Sequence, residues 1–162
     1  MSENALVLHS AAVVVVADDV ARFGGAALET GGFLLGPRDG NAIDTVAVAG
    51  TAGIVRRRDL FQVSDLALDR LFTYADEQGL WIPAQFHSHG LEAFMSECDI
   101  AHGLSVEGFV TTIVPHFADP PRYTARWGWW RYDGRWTPIM PPTVVRGTVT
   151  MIRFDEEGIG DA

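Results

Sequence analysis

The apolar residues of this chain fall in short blocks cut by Gly, Pro and Asp, and no block runs on long enough to be anything but one strand or a few helical turns. There is no internal repeat, no low-complexity stretch and no long polar linker. At 162 residues the chain has the length of one compact domain that buries a core without disulfides. Residues 1–162 therefore read as a single domain of many short elements.

The order of those elements sets the fold class. Ala5 to His9 reads as a short strand. Ser10 can cap a helix over Ala11 to Phe23, where Val13, Val16, Val20 and Phe23 recur at spacings of three and four, although four successive valines pull toward a strand. Gly31 to Gly36 and Ala42 to Ala49 are apolar strands joined by the turn sequence Pro37-Arg38-Asp39-Gly40-Asn41, a hairpin. Ser64 caps a second helix with Leu66, Leu68, Leu71, Phe72 and Ala75 as its apolar stripe, ending near Gly79. Trp81 to Phe86 is a buried strand, Ser96 to Leu104 a short helix with Glu97 and Asp99 at its positive end, and Gly108 to Pro115 a core strand. Arg122 to Tyr132 and Arg135 to Ile139 form a hairpin about Asp133-Gly134, and Val144 to Phe154 is the last strand. Helices and strands are interspersed, which predicts an α/β fold with a mixed central β-sheet flanked by helices.

The balance of 21 acidic against 12 basic side chains, a net charge of -9, repels a phosphate backbone and argues against nucleic acid as a partner. Ala11 to Ala17 is far shorter than the roughly 20 residues of a membrane span, and Asp18 and Asp19 close it. It also lacks the basic start of a secretory signal. The single cysteine, Cys98, forms no internal disulfide and suits a reducing cytoplasm. It reads as a small buried apolar residue pointing away from the side of Asp99.

The chemistry concentrates in Gln85-Phe86-His87-Ser88-His89-Gly90, where two imidazoles two residues apart at a strand end can turn to the same side. Ten residues past His89, Asp99 lies in the first turn of the predicted helix. Two neutral nitrogens and one carboxylate form a catalytic zinc set that leaves a fourth position for water. Attack by that water needs a proton acceptor, and Glu29, ahead of Thr30-Gly31-Gly32-Phe33-Leu34-Leu35-Gly36, is the candidate general base. Ser96 can donate its hydroxyl to a developing oxyanion or serve as a helix cap. His102 follows Asp99 by three and shares its helix face. Arg56, Arg57 and Arg58 read as a solvated loop, and Trp127, Trp129, Trp130 and Trp136 as core or edge cover.

In these residues the sequence resembles the JAMM (MPN-domain) metalloproteases: Glu29 before Gly-Gly-Phe-Leu-Leu-Gly, then His87-Ser88-His89, then Ser96-Glu97-Cys98-Asp99. The likeness runs in element order from about Leu6 to Pro115. The loop from Gly90 to Met95 is one residue shorter than the family's usual spacing, and Gly90 stands where a proline is often found. The resemblance implies one Zn2+ per chain and hydrolysis after the C-terminal glycine of a ubiquitin-like protein, in deconjugation or maturation, as in the family's compact prokaryotic branch. The implied partners are that modifier, its conjugates and its activating or conjugating enzymes. Two alternatives stay open: a catalytically silent binding module of the same fold, and a peptidase acting on small peptides or sulfur-carrier proteins. A zinc nucleobase deaminase is set aside, because its paired cysteine ligands cannot be built from Cys98 alone.

Overall fold

A computed structural model describes residues 5–162, apart from the side chain of His102. The described residues form β1 (Val7–His9), α1 (Ser10–Gly24), β2 (Gly31–Pro37), β3 (Ala42–Ile43), β4 (Thr45–Ala49), β5 (Ile54–Arg57), β6 (Leu60–Val63), α2 (Asp65–Glu77), β7 (Leu80–Ser88), α3 (Glu97–His102), β8 (Val110–Val114), a 3-10 turn (Thr124–Arg126), β9 (Gly128–Tyr132), β10 (Trp136–Pro138), β11 (Thr143–Val145), β12 (Thr150–Asp155) and β13 (Gly158–Asp161). Eight strands make one mixed sheet in the order β10-β9-β8-β7-β2-β4-β12-β13, beside a parallel β11-β1-β3 sheet and the separate β5-β6 hairpin. The expected mixed α/β sheet flanked by helices is the fold observed.

Alternation along the central strands shows why the sheet carries a helix on each face. Leu34, Val46, Val48 and Phe86 turn to one side, where Val13, Val16 and Val20 of α1 meet them. Phe33, Leu35, Ala47 and Ala49 turn to the other, against Ala67, Leu71 and Ala75 of α2. Strands buried on both faces read as continuous apolar runs. The helical spacing of the α1 valines prevails over their β propensity because each buried valine gains about 1.5–3 kcal/mol of transfer free energy, more than the propensity penalty.

Several elements depart from expectation for local reasons. Ser10 is the first residue of α1 and caps nothing; its Oγ instead accepts from the Gly147 N–H at 3.3 Å. The expected strand over residues 42–49 divides at Asp44, so that β3 joins β1 and only β4 pairs antiparallel with β2. The expected strand over residues 144–154 divides around Gly147, where a Cβ would lie 2.5 Å from the His9 ring. In α2 the side chain of Ser64 does cap, accepting from the Ala67 N–H at 3.2 Å, but Leu66 and Phe72 are exposed. Pro83, with no N–H to donate, lies where the pairing of β7 with β2 slips register.

Of the three arginines expected in a solvated loop, Arg57 and Arg58 are exposed, Arg58 in the turn between β5 and β6, and Arg56 departs. Arg56 is half-buried in β5, a strand of a hairpin the apolar pattern did not reveal. Trp127 and Trp129 are buried and stacked with ring centroids 6.1 Å apart, each indole N–H satisfied by a backbone carbonyl, and Trp130 and Trp136 are half-buried. No helix among the described residues is long and apolar enough to cross a membrane.

Candidate metal centre

Phe86 packs in the α1-side core, so strand alternation turns its neighbour His87 to the α2 side of the sheet. Register places His87 opposite Gly31, and one further step past the end of β7 brings His89 to the same side. The His89 backbone is held by its own N–H donating to the Val114 carbonyl at 2.9 Å and by its carbonyl accepting from Phe117 at 3.1 Å. The two rings meet edge to face with centroids 5.1 Å apart, and both residues are 7% exposed.

Glu29 comes from the turn that leaves α1. Ala27 adopts φ of 59° there, a left-handed conformation that costs a non-glycine residue about 1 kcal/mol and reverses the chain toward β2. Glu29 is buried, and one ligand atom from each of Glu29, His87 and His89 lies within 4.8 Å of the others, close enough to hold a metal ion. The glycines that follow are required by packing. A Cβ on Gly31 would lie 2.5 Å from the Phe61 ring and 2.6 Å from the Phe86 carbonyl, and one on Gly32 would collide with the Ala47 carbonyl.

Asp99 faces both histidines. Its Oδ1 lies 3.1 Å from Nε2 of His87 and its Oδ2 3.1 Å from Nε2 of His89. Ser96 fixes this approach through a reciprocal capping box: its Oγ accepts the Asp99 N–H at 3.1 Å, and its own N–H donates to Asp99 Oδ2 at 2.8 Å. The Ser96 hydroxyl proton is not spent in the cap, and the side chain lines the cleft. Both roles expected of Ser96 are thus compatible in one geometry.

The electrostatics separate the two carboxylates. Burial pushes Glu29 up to about 7, the His89 charge opposes this, and the charges of Asp99 and Asp59 add to it. Burial also pushes Asp99 upward, but hydrogen bonds from His87 and His89 outweigh it and hold the carboxyl well below the usual range. Burial disfavours the His89 imidazolium, yet the hydrogen bond and charge of Asp99 raise its pKa overall.

The donor set fits a divalent zinc ion. His89 Nδ1 lies 3.1 Å from the Glu92 carbonyl, which can only accept, so Nδ1 carries the proton and Nε2 offers its lone pair to the cluster. Without a metal, protons must be shared between the imidazole nitrogens and Asp99; a cation satisfies the same two nitrogens and the same ionised carboxylate. Nitrogen and carboxylate donors of this kind suit zinc.

All five expected site residues therefore converge on one cleft of about 980 Å³, walled on the far side by the β5-β6 hairpin with Arg58 and Phe61. Cys98 departs from expectation. It is exposed at the cleft, because α3 is a short helix most of whose described side chains are exposed. The expected contact of His102 lies outside the described residues. Sequence spacing did not reveal Phe94, whose ring packs edge-on against His89 at 5.1 Å. It also missed the tie from Ser88, between the histidines, to Thr30, beside Glu29. A serine at the end of a buried strand is the only signal that pointed to that tie.

No protein-family model matches the chain, and no curated protein matches it. Solved structures do. A protein from Desulfitobacterium hafniense, known from its solution structure, matches at a TM-score of 0.65 and 13% identity over 88% of this chain and 93% of that one. A JAB1/MPN domain protein from Archaeoglobus fulgidus matches at a TM-score of 0.53 and 14% identity, over 87% of this chain and 98% of that one. The chain has an MPN-like fold. At these identities the likeness is one of fold, and the chemistry rests on the residues. Within this MPN-like fold the histidine pair lies at the end of a central strand, with Glu29 and Asp99 reaching it from opposite chain segments.

Proposed function

We propose that this chain is a zinc-dependent isopeptidase or peptidase that cuts after the C-terminal glycine of a ubiquitin-like protein. The observation that carries the hydrolase reading is the placement of two carboxylates, buried Glu29 and half-buried Asp99, about one histidine pair. Asp99 lies 3.1 Å from Nε2 of each histidine, where a ligand must be, and Glu29, whose carboxyl burial pushes up to about 7, reaches the same pair from the other side, where a base is needed.

His87, His89 and Asp99 hold the metal in this reading. Bound zinc supplies Lewis acidity, which acidifies water and polarises a carbonyl. Glu29 accepts a proton as water adds to the scissile carbonyl carbon; the C–N bond then breaks and Glu29 hands that proton to the leaving amine. The free Ser96 hydroxyl donates to the carbonyl oxygen as negative charge gathers there. Burial of Glu29 and His89 keeps competing water from their charges.

A modifier tail as substrate is supported by the order of the motif elements, by the MPN-like fold, and by a cleft at the upper end of the small-ligand range. In this reading residues 1–162 act as one domain in the cytoplasm, on modifier conjugates or precursors, alongside the activating and conjugating enzymes of the same system. The test is zinc analysis together with hydrolysis of a panel of ubiquitin-like fusions and of free tail peptides. About one zinc per chain, cleavage of a fusion after its glycine, and loss of cleavage in Glu29→Gln are expected. Zinc binding with no cleavage of any substrate would instead make the chain a binding module, and equal cleavage of free peptides would remove the modifier from the account.

A further inference from the structure

The β5-β6 hairpin is fastened to the segment that carries Glu29 at three successive residues. The Glu29 N–H donates to the Arg57 carbonyl at 2.8 Å. The Thr30 Oγ1 accepts from Nε of Arg56 at 2.9 Å. Gly31 lies directly beneath the Phe61 ring. Arg56 is the centre of this attachment. Its two terminal nitrogens donate to the Gly50 and Ala49 carbonyls at 2.6 and 2.5 Å, and its guanidinium lies over the Phe23 ring at 4.0 Å. A planar guanidinium with every edge engaged has one orientation available.

The other side of Thr30 is tied to the histidine strand. Its N–H donates to the Ser88 Oγ at 2.9 Å, and its carbonyl accepts from the Ser88 N–H at 2.9 Å. Thr30 thus receives Arg56 on its side chain and Ser88 on its backbone, and it is fully buried. The cleft wall, the Glu29 segment and the histidine pair meet at this one residue.

We infer that Arg56, acting through Thr30, is a positioning residue that holds the Glu29 backbone in register with His87 and His89 and joins that register to the hairpin wall of the cleft. The catalytic side of this inference rests on the proposed hydrolase reading; the positioning side does not. Arg56 touches none of the site's donor atoms, so its loss acts on the placement of the base and leaves metal uptake in place. Displacing a reacting group by about 1 Å costs on the order of 100-fold in rate.

Amide hydrogen exchange in the zinc-free full-length protein reads the positioning without any substrate. In Arg56→Gln the Glu29 N–H is expected to exchange about 10-fold faster or more, while the His89 N–H, bonded to Val114 within the sheet, stays within about 2-fold of wild type. Arg56→Lys, which cannot engage three acceptors in one plane, should fall between. Zinc stoichiometry should be unchanged, and kcat on a cleavable fusion should drop about 10-fold or more. Equal exchange of Glu29 in wild type and Arg56→Gln overturns the inference. If Glu29 and His89 both accelerate, the whole sheet has loosened and Thr30→Val decides, because it removes only the acceptor for Nε. A selective rise at Glu29 then supports the inference, and no rise overturns it. Failure of the hydrolase reading shows separately, as absence of zinc or of cleavage in the wild type.

Discussion

Nε2 of His89 lies 3.1 Å from Oδ2 of Asp99, and the Nδ1 of the same ring lies 3.1 Å from the Glu92 carbonyl. An imidazole with an acceptor at each nitrogen is built to be cationic or to bind a cation. Asp99→Asn removes the anion shared by His87 and His89, and zinc affinity should fall by about 100-fold or more. Equilibrium dialysis against a competing chelator measures it; unchanged affinity would remove Asp99 from the ligand set.

Zinc should also stabilise the folded chain, because the donors are gathered only there. At free zinc 100-fold above Kd the gain is about 2.7 kcal/mol, which corresponds to a rise in Tm of about 5–11 °C for a domain of this size. Excess EDTA should reverse the rise. A melting curve indifferent to both would show that the cluster holds no ion.

The two roles of Ser96 can be separated by Ser96→Gly. Glycine caps a helix with a loss of only a few tenths of a kcal/mol, so Asp99 stays in place, but no hydroxyl remains. Zinc affinity should hold within about 3-fold while kcat falls by about 100-fold. If both fall together, Ser96 serves only to seat Asp99.

Asp19 supplies a pH dependence outside the candidate metal site. It is 5% exposed on α1, its Oδ2 finds no hydrogen-bond partner, and burial pushes its pKa up to about 6 against the opposing charges of Arg56 and Arg22. Between its unfolded value of 3.8 and about 6 the folded chain binds the extra proton. Asp19 therefore costs stability as pH rises through that window, by up to about 3 kcal/mol. In zinc-free protein, Asp19→Asn should flatten this part of the profile and melt higher at pH 8. A variant less stable than wild type at pH 8 would contradict this.

Gly31→Ala forces a methyl group toward both Phe61 and the Phe86 carbonyl and should cost about 1–3 kcal/mol. Phe61→Ala in the same chain should recover only part of that loss, because the Phe86 oxygen is main chain and cannot swing aside. A double-mutant cycle in denaturant measures the coupling, and full recovery would show that only the hairpin contact matters.

The cluster that forms the candidate site is legible in the sequence where its parts are local: two histidines at strand period, and a serine and aspartate at the start of one helix. The flanked sheet is legible because its central strands β2 and β4 are nearly continuous apolar runs and the apolar ends of β8 bracket two buried threonines. What escaped depends on contacts between distant segments. Arg56 looks like a solvated charge until Thr30, Ala49 and Gly50 are folded around it. The stripe expected on α2 shifted to Ala67, Leu71 and Ala75 because small residues let the helix approach the sheet closely, leaving Leu66 and Phe72 outside. Cys98 looked buried by residue type alone, and only the surface position of α3 exposes it.

In the proposed enzyme one zinc ion is held by His87, His89 and Asp99, with Glu29 left free as the base. Anomalous diffraction at the zinc edge from crystals of the zinc-loaded protein tests it directly. One peak is expected, bonded to Nε2 of both histidines and to the Asp99 carboxylate, with Glu29 outside bonding distance. A peak bonded to Glu29 in place of Asp99, or no peak between the histidines, would contradict it.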